Sequence, residues 1–358
     1  MKGPLTAGMA PIANRYTPLE WIGAGGMQNV YLARDEQFGR AVALKTPKEE
    51  SGHGRFQLSA VISAKVNHPN VAKTLDYFVV EERPFLVEEH VVGADFASVM
   101  DGNLPYLPPS TCARVLHQLA KGLLASHAAG VVHRDLKPSN IMVVGGYRFH
   151  DVKITDFGIA KMAEAEIGQW AEVGGGTSSK TVLGAIPYMS PEAINDFKKA
   201  TKPSDVWAIA AIVYQMLSGE LPFGSGLKSI PNIIAAVPPA APRQLKAAQF
   251  SSLGDELYDL ICRCLDKDPE KRPDAAALVT FCEQLCYSTS PYSMGTVSDT
   301  GGYTGRIIDE NDETLMYHPS NFYGNRKVAV GSPVWFGRAE GSPMDRAFPI
   351  VAALHKPT

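Results

Sequence analysis

The spacing of hydrophobic residues divides the chain into regions with different periods. Between Tyr16 and Val91, apolar and polar residues alternate in short segments such as N-V-Y-L-A-R-D and R-A-V-A-L-K, with turn-forming residues between them. A period of two predicts β-strands, and we expect a five-stranded antiparallel sheet here. One segment, Arg55 to Val66, instead carries apolar residues at helical spacing. The pattern therefore predicts one helix within this sheet region.

Beyond Ser110 the period lengthens to that of amphipathic helices. The segments with this period are residues 111–127, 204–218, 253–264 and 275–286. A stretch rich in Ser, Thr and Gly follows and shows no periodicity. We interpret residues 288–304 as a linker, and we expect few contacts to cross it.

The last segment, residues 305–356, alternates again and predicts a small β-rich module that looks like a shortened OB-type or cold-shock barrel. Its aromatic side chains would either stack on nucleic-acid bases or fill a core. Residues 302–358 carry six basic and six acidic residues, and this balance favours core filling. The side chains in question are Tyr317, His318, Phe322, Tyr323, Trp335 and Phe336.

The composition is that of a globular protein. Of 358 residues, 45% are hydrophobic and 20% are charged, and the net charge is −3. These values exclude a disordered chain and argue against a broad basic surface for nucleic acids. The longest apolar run, residues 206–217, is shorter than the ~20 residues of a membrane span. The N-terminus lacks the apolar stretch of a secretory signal, and we expect a cytoplasmic protein without membrane association.

A glycine-rich segment, G-A-G-G-M-Q-N-V at residues 23–30, lies between two predicted strands. Glycines in such a turn let backbone N–H groups approach phosphate oxygens, whereas a dinucleotide fold would place them between a strand and a helix. Lys45 ends the next apolar strand, where an ammonium group needs an anion. Together these features indicate a phosphate ligand.

The most specific motifs lie in the helical region. The segment H-R-D-L-K-P-S-N occupies residues 133–140, and D-F-G follows at residues 156–158. Three further motifs come after them: S-P-E at 190–192, S-D-V-W at 204–207 and D-P-E-K-R-P at 268–273. In the order and spacing of these motifs the chain resembles the eukaryotic-type (Hanks-type) serine/threonine protein kinases, and closely their bacterial members.

This resemblance implies an α+β, bilobal protein kinase fold over residues 16–287, with ATP between a small antiparallel β lobe and a larger helical lobe. It also implies transfer of the γ-phosphoryl group of ATP to Ser or Thr hydroxyls of protein substrates, with Mg²⁺ or, in its place, Mn²⁺. Lys137 resembles the serine/threonine class rather than the tyrosine class. The alternative is a pseudokinase, a nucleotide-binding scaffold or a sensor that signals through its C-terminal module.

Four residues are assigned to the reaction. Asp135 can accept the proton of a substrate hydroxyl and orient it, and Lys137 can neutralise charge on the transferring phosphoryl group. Asn140 and Asp156 are oxygen ligands suited to Mg²⁺. By resemblance, the nucleotide-binding residues are Ile22, Gly23, Gly25, Gly26, Val30, Ala43, Lys45, Glu88, Glu89 and Val91.

Three other motif residues are expected, by the same resemblance, to hold the geometry of the site rather than to react. Glu192 and Arg272 should form a buried ion pair. Asp205 should accept hydrogen bonds from the backbone around the catalytic loop.

The sequence departs from the family at the partner of Lys45. The family carries a glutamate on the helix of the β lobe, but alignment places Ser59 there, and residues 51–75 contain no Asp or Glu. Glu88 stands where the family has an apolar residue at the back of the nucleotide pocket, and a buried, unpaired carboxylate would be unfavourable. We hypothesise that Glu88 is the counter-ion of Lys45. If the strand began one residue later, Glu89 would lie beside Lys45 instead.

Two milder departures concern the loops. Gln28 replaces the third glycine of the phosphate loop, and Ala185 replaces a threonine that braces the catalytic loop. Losing one such hydrogen bond removes about 1 kcal/mol. We expect both changes to lower turnover rather than to change the reaction.

The segment between the D-F-G and S-P-E motifs carries hydroxyl residues that match the phosphorylation sites of the relatives. Thr177 and Ser179 are the expected sites, and Arg134 would offer a guanidinium to a phosphate there. Self-association of two copies would allow autophosphorylation. A third interpretation makes the C-terminal module a nucleic-acid-binding sensor that regulates the kinase.

Overall fold

The structure is a computed structural model that describes residues 5–6, 8–24, 28–48, 53–157 and 180–355. The N-terminal lobe is an antiparallel sheet of five strands in the order β1-β2-β3-β5-β4. Its strands are β1 (Tyr16–Ala24), β2 (Gln28–Asp35), β3 (Arg40–Pro47), β4 (Thr74–Val80) and β5 (Arg83–Glu89). The predicted helix is α1 (His53–Ser63), and the predicted bilobal α+β fold class is confirmed.

The two faces of this sheet have different surroundings. One face carries a core that includes Tyr31, Leu44 and Val87, over which Leu5 and Ile12 of the N-terminal segment pack. Side chains one position away point to the opposite face because successive residues of a strand alternate. In the register of the sheet, Val30 lies opposite Lys45, and Ala43 lies opposite Glu88. These four side chains therefore face the helical lobe.

The helical lobe is built around two buried helices. Its helices are α2 (Phe96–Gly102), α3 (Pro109–Ala128), α4 (Lys180–Ala185), α5 (Pro191–Asn195), α6 (Lys202–Ser218), α7 (Ile230–Ala235), α8 (Ala248–Cys264) and α9 (Ala275–Gln284). Trp207 of α6 is fully buried, as is Leu119 of α3, and both belong to the largest hydrophobic core. In the described part of the chain, no helix is long and apolar enough to cross a membrane.

A small sheet in the helical lobe positions residues at the boundary between the two lobes. It consists of β6 (Gly93–Asp95), β7 (Ile141–Val144) and β8 (Asp151–Ile154). β7 and β8 form an antiparallel hairpin. Because β7 begins directly after Asn140 and β8 ends two residues before Asp156, the hairpin sets the positions of both residues.

The C-terminal region is a closed barrel of five strands in the order β10-β11-β13-β12-β9. The strands are β9 (Tyr292–Asp299), β10 (Gly305–Asp309), β11 (Thr314–Tyr317), β12 (Pro333–Ala339) and β13 (Arg346–Ala352). All pairings are antiparallel except that of β11 with β13. A five-stranded barrel agrees with the OB-type expectation.

The structure differs from the linker that we expected at residues 288–304, because this segment contains β9. One of its small residues, Gly295, lies where neighbouring atoms approach the backbone closely. A Cβ atom at Gly295 would lie 2.6 Å from the carbonyl oxygen of Ile308 and 2.9 Å from the ring of Phe336. Glycine inside a strand marks such close approach.

The barrel also packs directly on the helical lobe, which differs from the expected boundary with few contacts. The Tyr292 hydroxyl accepts a hydrogen bond from Thr111 at 2.7 Å, and the Tyr323 hydroxyl donates one to the carbonyl of Leu217 at 2.7 Å. Tyr292 and Tyr323 belong to the same hydrophobic core as α3 and α6. The barrel is therefore an integral layer of the helical lobe.

Trp335 of β12 is the centre of this contact. Its indole is fully buried, stacks on Tyr292 with ring centroids 3.8 Å apart, and meets the edge of Phe149. Its Nε1–H donates to the carbonyl of Tyr147 at 2.6 Å, in the turn between β7 and β8. The expectation of core filling is confirmed for four aromatic side chains, which are Tyr317, Tyr323, Trp335 and Phe336.

Candidate active site

A cavity of about 970 Å³ lies between the sheet of the N-terminal lobe and the helical lobe. Small-molecule sites commonly fall at roughly 300–1,000 Å³. Of the residues expected in the site, those that line this cavity are Ile22, Gly23, Val30, Ala43, Lys45, Glu88, Glu89, Val91, Asp135, Lys137, Asn140 and Asp156. Gly25, Gly26, Thr177 and Ser179 lie outside the described residues.

Lys45 lies between two carboxylates in this cavity. Its Nζ is 2.5 Å from Oε2 of Glu88 and 2.6 Å from Oδ1 of Asp156. The side chains of Lys45 and Glu88 are both almost fully buried. Ser59 lies in α1, and that helix contains no acidic residue. The counter-ion on the N-terminal lobe is thus Glu88 of β5.

The register of the sheet decides between Glu88 and its neighbour. Glu89 points away from Lys45, and one of its oxygens is 2.7 Å from Nζ of Lys153. Because adjacent strand residues alternate between faces, only one of the two glutamates can lie beside Lys45. The structure places Glu88 in this position.

Burial and charge shift the pKa values of the three groups in different directions. Burial acts to lower the pKa of Lys45, but the charges of Asp156 and Glu88 raise it above its ordinary value. Burial acts to raise the pKa of Asp156, but the charge and hydrogen bond of Lys45 hold it below its ordinary value. Burial raises the pKa of Glu88, and Lys45 only partly opposes this. Asp156 is therefore the more firmly ionised partner of the lysine.

The catalytic loop brings the remaining reactive residues together. Nζ of Lys137 is 2.8 Å from Oδ2 of Asp135, and Nδ2 of Asn140 donates to the carbonyl oxygen of Asp135 at 2.7 Å. This arrangement places a carboxylate, an ammonium and an amide oxygen on one side of the cavity. Such a set can bind a hydroxyl group and stabilise negative charge beside it.

Asp205 holds the backbone of this loop, as the resemblance implied. Its carboxylate accepts hydrogen bonds from the backbone N–H groups of His133 and Arg134, both at 2.8 Å, and from His127 at 2.9 Å. Arg134 has a φ of 67°, in the left-handed region that a side chain disfavours. The hydrogen bonds stabilise this strained turn immediately before Asp135.

The expected ion pair between Glu192 and Arg272 is also present. Nη1 and Nη2 of Arg272 donate to the two carboxylate oxygens of Glu192 at 2.7 and 2.9 Å. Two parallel bonds of this kind fix both distance and angle. The pair therefore joins α5 to the segment before α9.

Gln28 contributes a contact that the sequence analysis missed. Its Nε2 donates to Oδ1 of Asp156 at 3.0 Å. Two signals pointed to this contact: a long polar side chain replaces glycine, and it stands two positions from Val30, on the face of β2 toward the cavity. The partner could not be identified because it lies far along the chain.

The donor set fits a divalent cation that prefers oxygen ligands. Asn140 and Asp156 supply amide and carboxylate oxygens to the same cavity. Within the described residues, no group of three or more His, Cys, Asp and Glu side chains forms a complete metal cage. A cation held here would draw its other ligands from phosphate oxygens and water, which is the usual arrangement for Mg²⁺.

Comparison with known proteins agrees with this site. The protein kinase domain family matches residues 16–281. Serine/threonine-protein kinase pkn2 of Myxococcus xanthus is 34% identical over 268 residues, which are 73% of this chain and 31% of the relative. Serine/threonine-protein kinase PrkC of Bacillus subtilis is 31% identical, over 74% of this chain and 39% of the relative. PknB of Mycobacterium leprae is 30% identical, over 84% and 50%.

The chain thus spans about a third to a half of the length of these relatives. Its match to the family covers both lobes and every motif around the cavity. Protein kinases use ATP and a divalent metal. The chain therefore belongs to the protein kinase family, among the bacterial serine/threonine kinases of the Hanks type.

Proposed function

We propose that this chain transfers the γ-phosphoryl group of ATP to Ser and Thr hydroxyls of protein substrates, with Mg²⁺ as the cation and Mn²⁺ as a substitute. One observation carries the proposal. Lys45, Asp135, Asn140 and Asp156 come from three separate segments of the chain, and all four line one cavity between the lobes. A scaffold that only binds a partner does not require all four.

The roles of the residues follow from their chemistry. Asp135 orients the substrate hydroxyl and accepts its proton as the oxygen attacks the γ-phosphorus and the bond to the β-phosphate oxygen breaks. Lys137, 2.8 Å from Asp135, neutralises charge on the transferred group. Lys45 binds the phosphates of the nucleotide from the opposite wall. A bound divalent cation neutralises phosphate oxygens, and Asn140 and Asp156 would hold it.

We further propose that Glu88 performs the task that a helix glutamate performs in the family. The distance of 2.5 Å between Glu88 and Lys45 supports this role. Two departures from the family motivate the pseudokinase alternative, Ser59 on α1 and Ala185. The contact of Lys45 with Glu88 answers the first departure, and the loss of one hydrogen bond at Ala185 lowers turnover rather than abolishing it. No contact in the described residues favours the pseudokinase.

Phosphorylation at Thr177 or Ser179 remains part of the proposal. The support comes from Arg134, whose Nε is buried and has no hydrogen-bond partner among the described residues. A phosphate group would supply the missing acceptor. Autophosphorylation between two copies would be a means of placing it there.

We also propose residues 16–287 as the catalytic domain, with the barrel as a C-terminal module that shares the hydrophobic core of the helical lobe. Nucleic-acid binding by this module has little support, because its larger aromatic side chains are buried. A protein-contact role agrees better with a barrel that already packs on the kinase.

Incubation of the purified full chain with radiolabelled ATP, Mg²⁺ and a library of Ser/Thr peptides tests the proposed reaction. We expect label on peptides and on the chain itself, with phosphosites that mass spectrometry can map. Asp135→Asn is the matched control, since it keeps the shape of the side chain and removes the base. A wild-type chain that binds ATP but transfers no label would overturn the proposal.

A further inference from the structure

The side chain of Gln28 occupies a place that the proposed reaction does not explain. It stands at the third glycine position of the phosphate loop, and only 3% of the residue is exposed. Its Nε2 donates to Oδ1 of Asp156, the same oxygen that Nζ of Lys45 contacts. Neither contact uses Oδ2 of Asp156. Gln28 thus connects the beginning of β2 to the aspartate that is expected to hold metal.

The oxygen of the Gln28 amide differs from its nitrogen in its surroundings. This Oε1 is buried, and no donor among the described residues forms a hydrogen bond with it. Buried carbonyl oxygens in folded proteins nearly always have a partner. An unpaired oxygen at the wall of a cavity is therefore best explained by a group that enters the cavity and that the chain alone does not supply.

The charges nearby indicate the chemistry of that group. Lys45 carries one positive charge, whereas Glu88 and Asp156 are two carboxylates in direct contact with it. Both of these carboxylates share the single ammonium group of Lys45, and Oδ2 of Asp156 takes no part in the contacts with Lys45 and Gln28. The free amide oxygen of Gln28 is an acceptor, so it is complementary to a cation and repels the oxygen atoms of a phosphate group. Carboxylate and amide oxygens are also the ligands that hard divalent cations prefer.

We propose that Gln28 is a further ligand-bearing residue of the divalent-cation site. Its Oε1 joins the oxygens of Asn140 and Asp156, either at the metal or through a metal-bound water. This inference rests on the proposed function, because it requires that the cation enters with the nucleotide. It goes beyond that function in assigning a metal-binding role to a position that is glycine in the family's motif.

The position of Gln28 has a consequence for the phosphate loop. Gln28 is the first residue of β2 and belongs to the glycine-rich segment at residues 23–30. A cation bound to Gln28 and Asp156 would therefore hold the loop and the helical lobe at a fixed separation. In a relative with glycine at this position, the loop has no side chain with which to do so.

The test measures metal binding directly rather than turnover. Mn²⁺ binding to the full chain is followed by electron paramagnetic resonance in the presence of a non-hydrolysable ATP analogue. Gln28→Met keeps the side-chain volume but removes the oxygen, and we expect the Kd for Mn²⁺ to rise about tenfold. Gln28→Gly introduces the residue that the family carries at this position and should show a similar rise in the Kd for Mn²⁺. Gln28→Glu keeps an oxygen ligand and should bind at least as tightly as the wild type.

Asn29→Met is the matched control, because the adjacent side chain of β2 points to the other face of the sheet. Its Kd for Mn²⁺ should stay within about twofold of the wild type, and circular dichroism verifies the fold of each variant. An unchanged Kd in both Gln28→Met and Gln28→Gly would overturn the metal role of Gln28. If the wild type then still transfers phosphate, only this inference fails. Absence of Mn²⁺ binding and of transfer in the wild type would refute the proposed function as well.

Discussion

Lys45 and Glu88 lie on adjacent strands of one sheet, and their charged atoms are 2.5 Å apart. Backbone hydrogen bonds between β3 and β5 fix this relationship. In the family, the corresponding glutamate lies on a mobile helix, and positioning of that helix controls activity. Here the pair forms independently of α1. Control of this kinase by movement of α1 would therefore have to act on something other than the pairing of Lys45.

The first prediction concerns Glu88→Met. We expect reduced phosphoryl transfer and a lower free energy of unfolding, because Lys45 loses its partner in the N-terminal lobe. Breaking a buried pair on one side costs ~3–5 kcal/mol, and the loss should be smaller here since Asp156 still contacts Lys45. Urea unfolding and peptide phosphorylation measure the two effects.

Glu88→Gln is the control that keeps the shape of the side chain. It should lose less activity and less stability than Glu88→Met. Adding Ser59→Glu to Glu88→Met should restore part of the activity if the family's position can still supply the charge. The double-mutant cycle gives the coupling energy. Wild-type activity in Glu88→Met would contradict the role of Glu88.

The second prediction separates chemistry from fold. Asp135→Asn should lower kcat by about 10²–10⁴-fold and leave the melting temperature unchanged, because the base is lost but the shape remains. Asp156→Ala should abolish transfer and weaken Mn²⁺ binding. Asp151→Ala, at an exposed residue of β8, is the control and should behave as the wild type. Full activity in Asp156→Ala would refute the metal assignment.

The third prediction is a pH dependence of stability. Burial acts to raise the pKa of Glu192, but hydrogen bonding to Arg272 and its charge hold the pKa below the ordinary value of 4.5. A carboxylate with a lowered pKa stabilises the fold above its ordinary pKa, and this contribution disappears as the pH falls through the folded value. The wild type should therefore lose more stability than Glu192→Gln between neutral pH and pH values below 4.5.

Urea unfolding of both proteins across this range provides the measurement. At neutral pH, Glu192→Gln should be the less stable protein, because it leaves the buried guanidinium of Arg272 without its ionic partner. The difference in the free energy of unfolding between the two proteins should become smaller as the pH falls. Parallel curves at all pH values would show that the ion pair does not contribute to the acid sensitivity.

The fourth prediction concerns the barrel. A chain that ends at Thr289 loses the contacts of Tyr292, Tyr323 and Trp335 with the helical lobe. Deleting a single buried aromatic side chain commonly costs ~3–5 kcal/mol, so we expect a clearly lower melting temperature and binding of a hydrophobic dye. Tyr303→Ala is the control, since that side chain is 89% exposed. An equally stable truncated chain would show that the barrel contributes nothing to the kinase fold.

Much of the N-terminal lobe and of the site could be predicted from the sequence, because both depend on local patterns. Alternation identified the strands of the sheet, and the resemblance to the kinase family implied that Asp135, Asn140 and Asp156 share one cleft, where the structure places them. Alternation predicts that only one of Glu88 and Glu89 faces Lys45. The pairing of β3 with β5 determines which of the two it is.

Other features depend on contacts between distant residues, and local patterns do not identify the partner. Gln28 and Asp156 are 128 positions apart, and no periodicity relates them. The composition of β9 resembles that of a linker, but its glycine, Gly295, lies where the closed barrel leaves no room for a side chain. Small residues occur both in flexible linkers and in tightly packed strands. Composition alone therefore does not distinguish a linker from a strand such as β9.

The contact between Trp335 and the turn at Tyr147 connects the barrel to residues of the candidate active site. The two strands that leave this turn lead to Asn140 and to Asp156. A paired hairpin moves as a unit, so a displacement of its turn is transmitted to both residues together. A partner that binds the barrel and shifts Trp335 would therefore move these two residues together relative to Lys45, without entering the cleft and without competing with ATP.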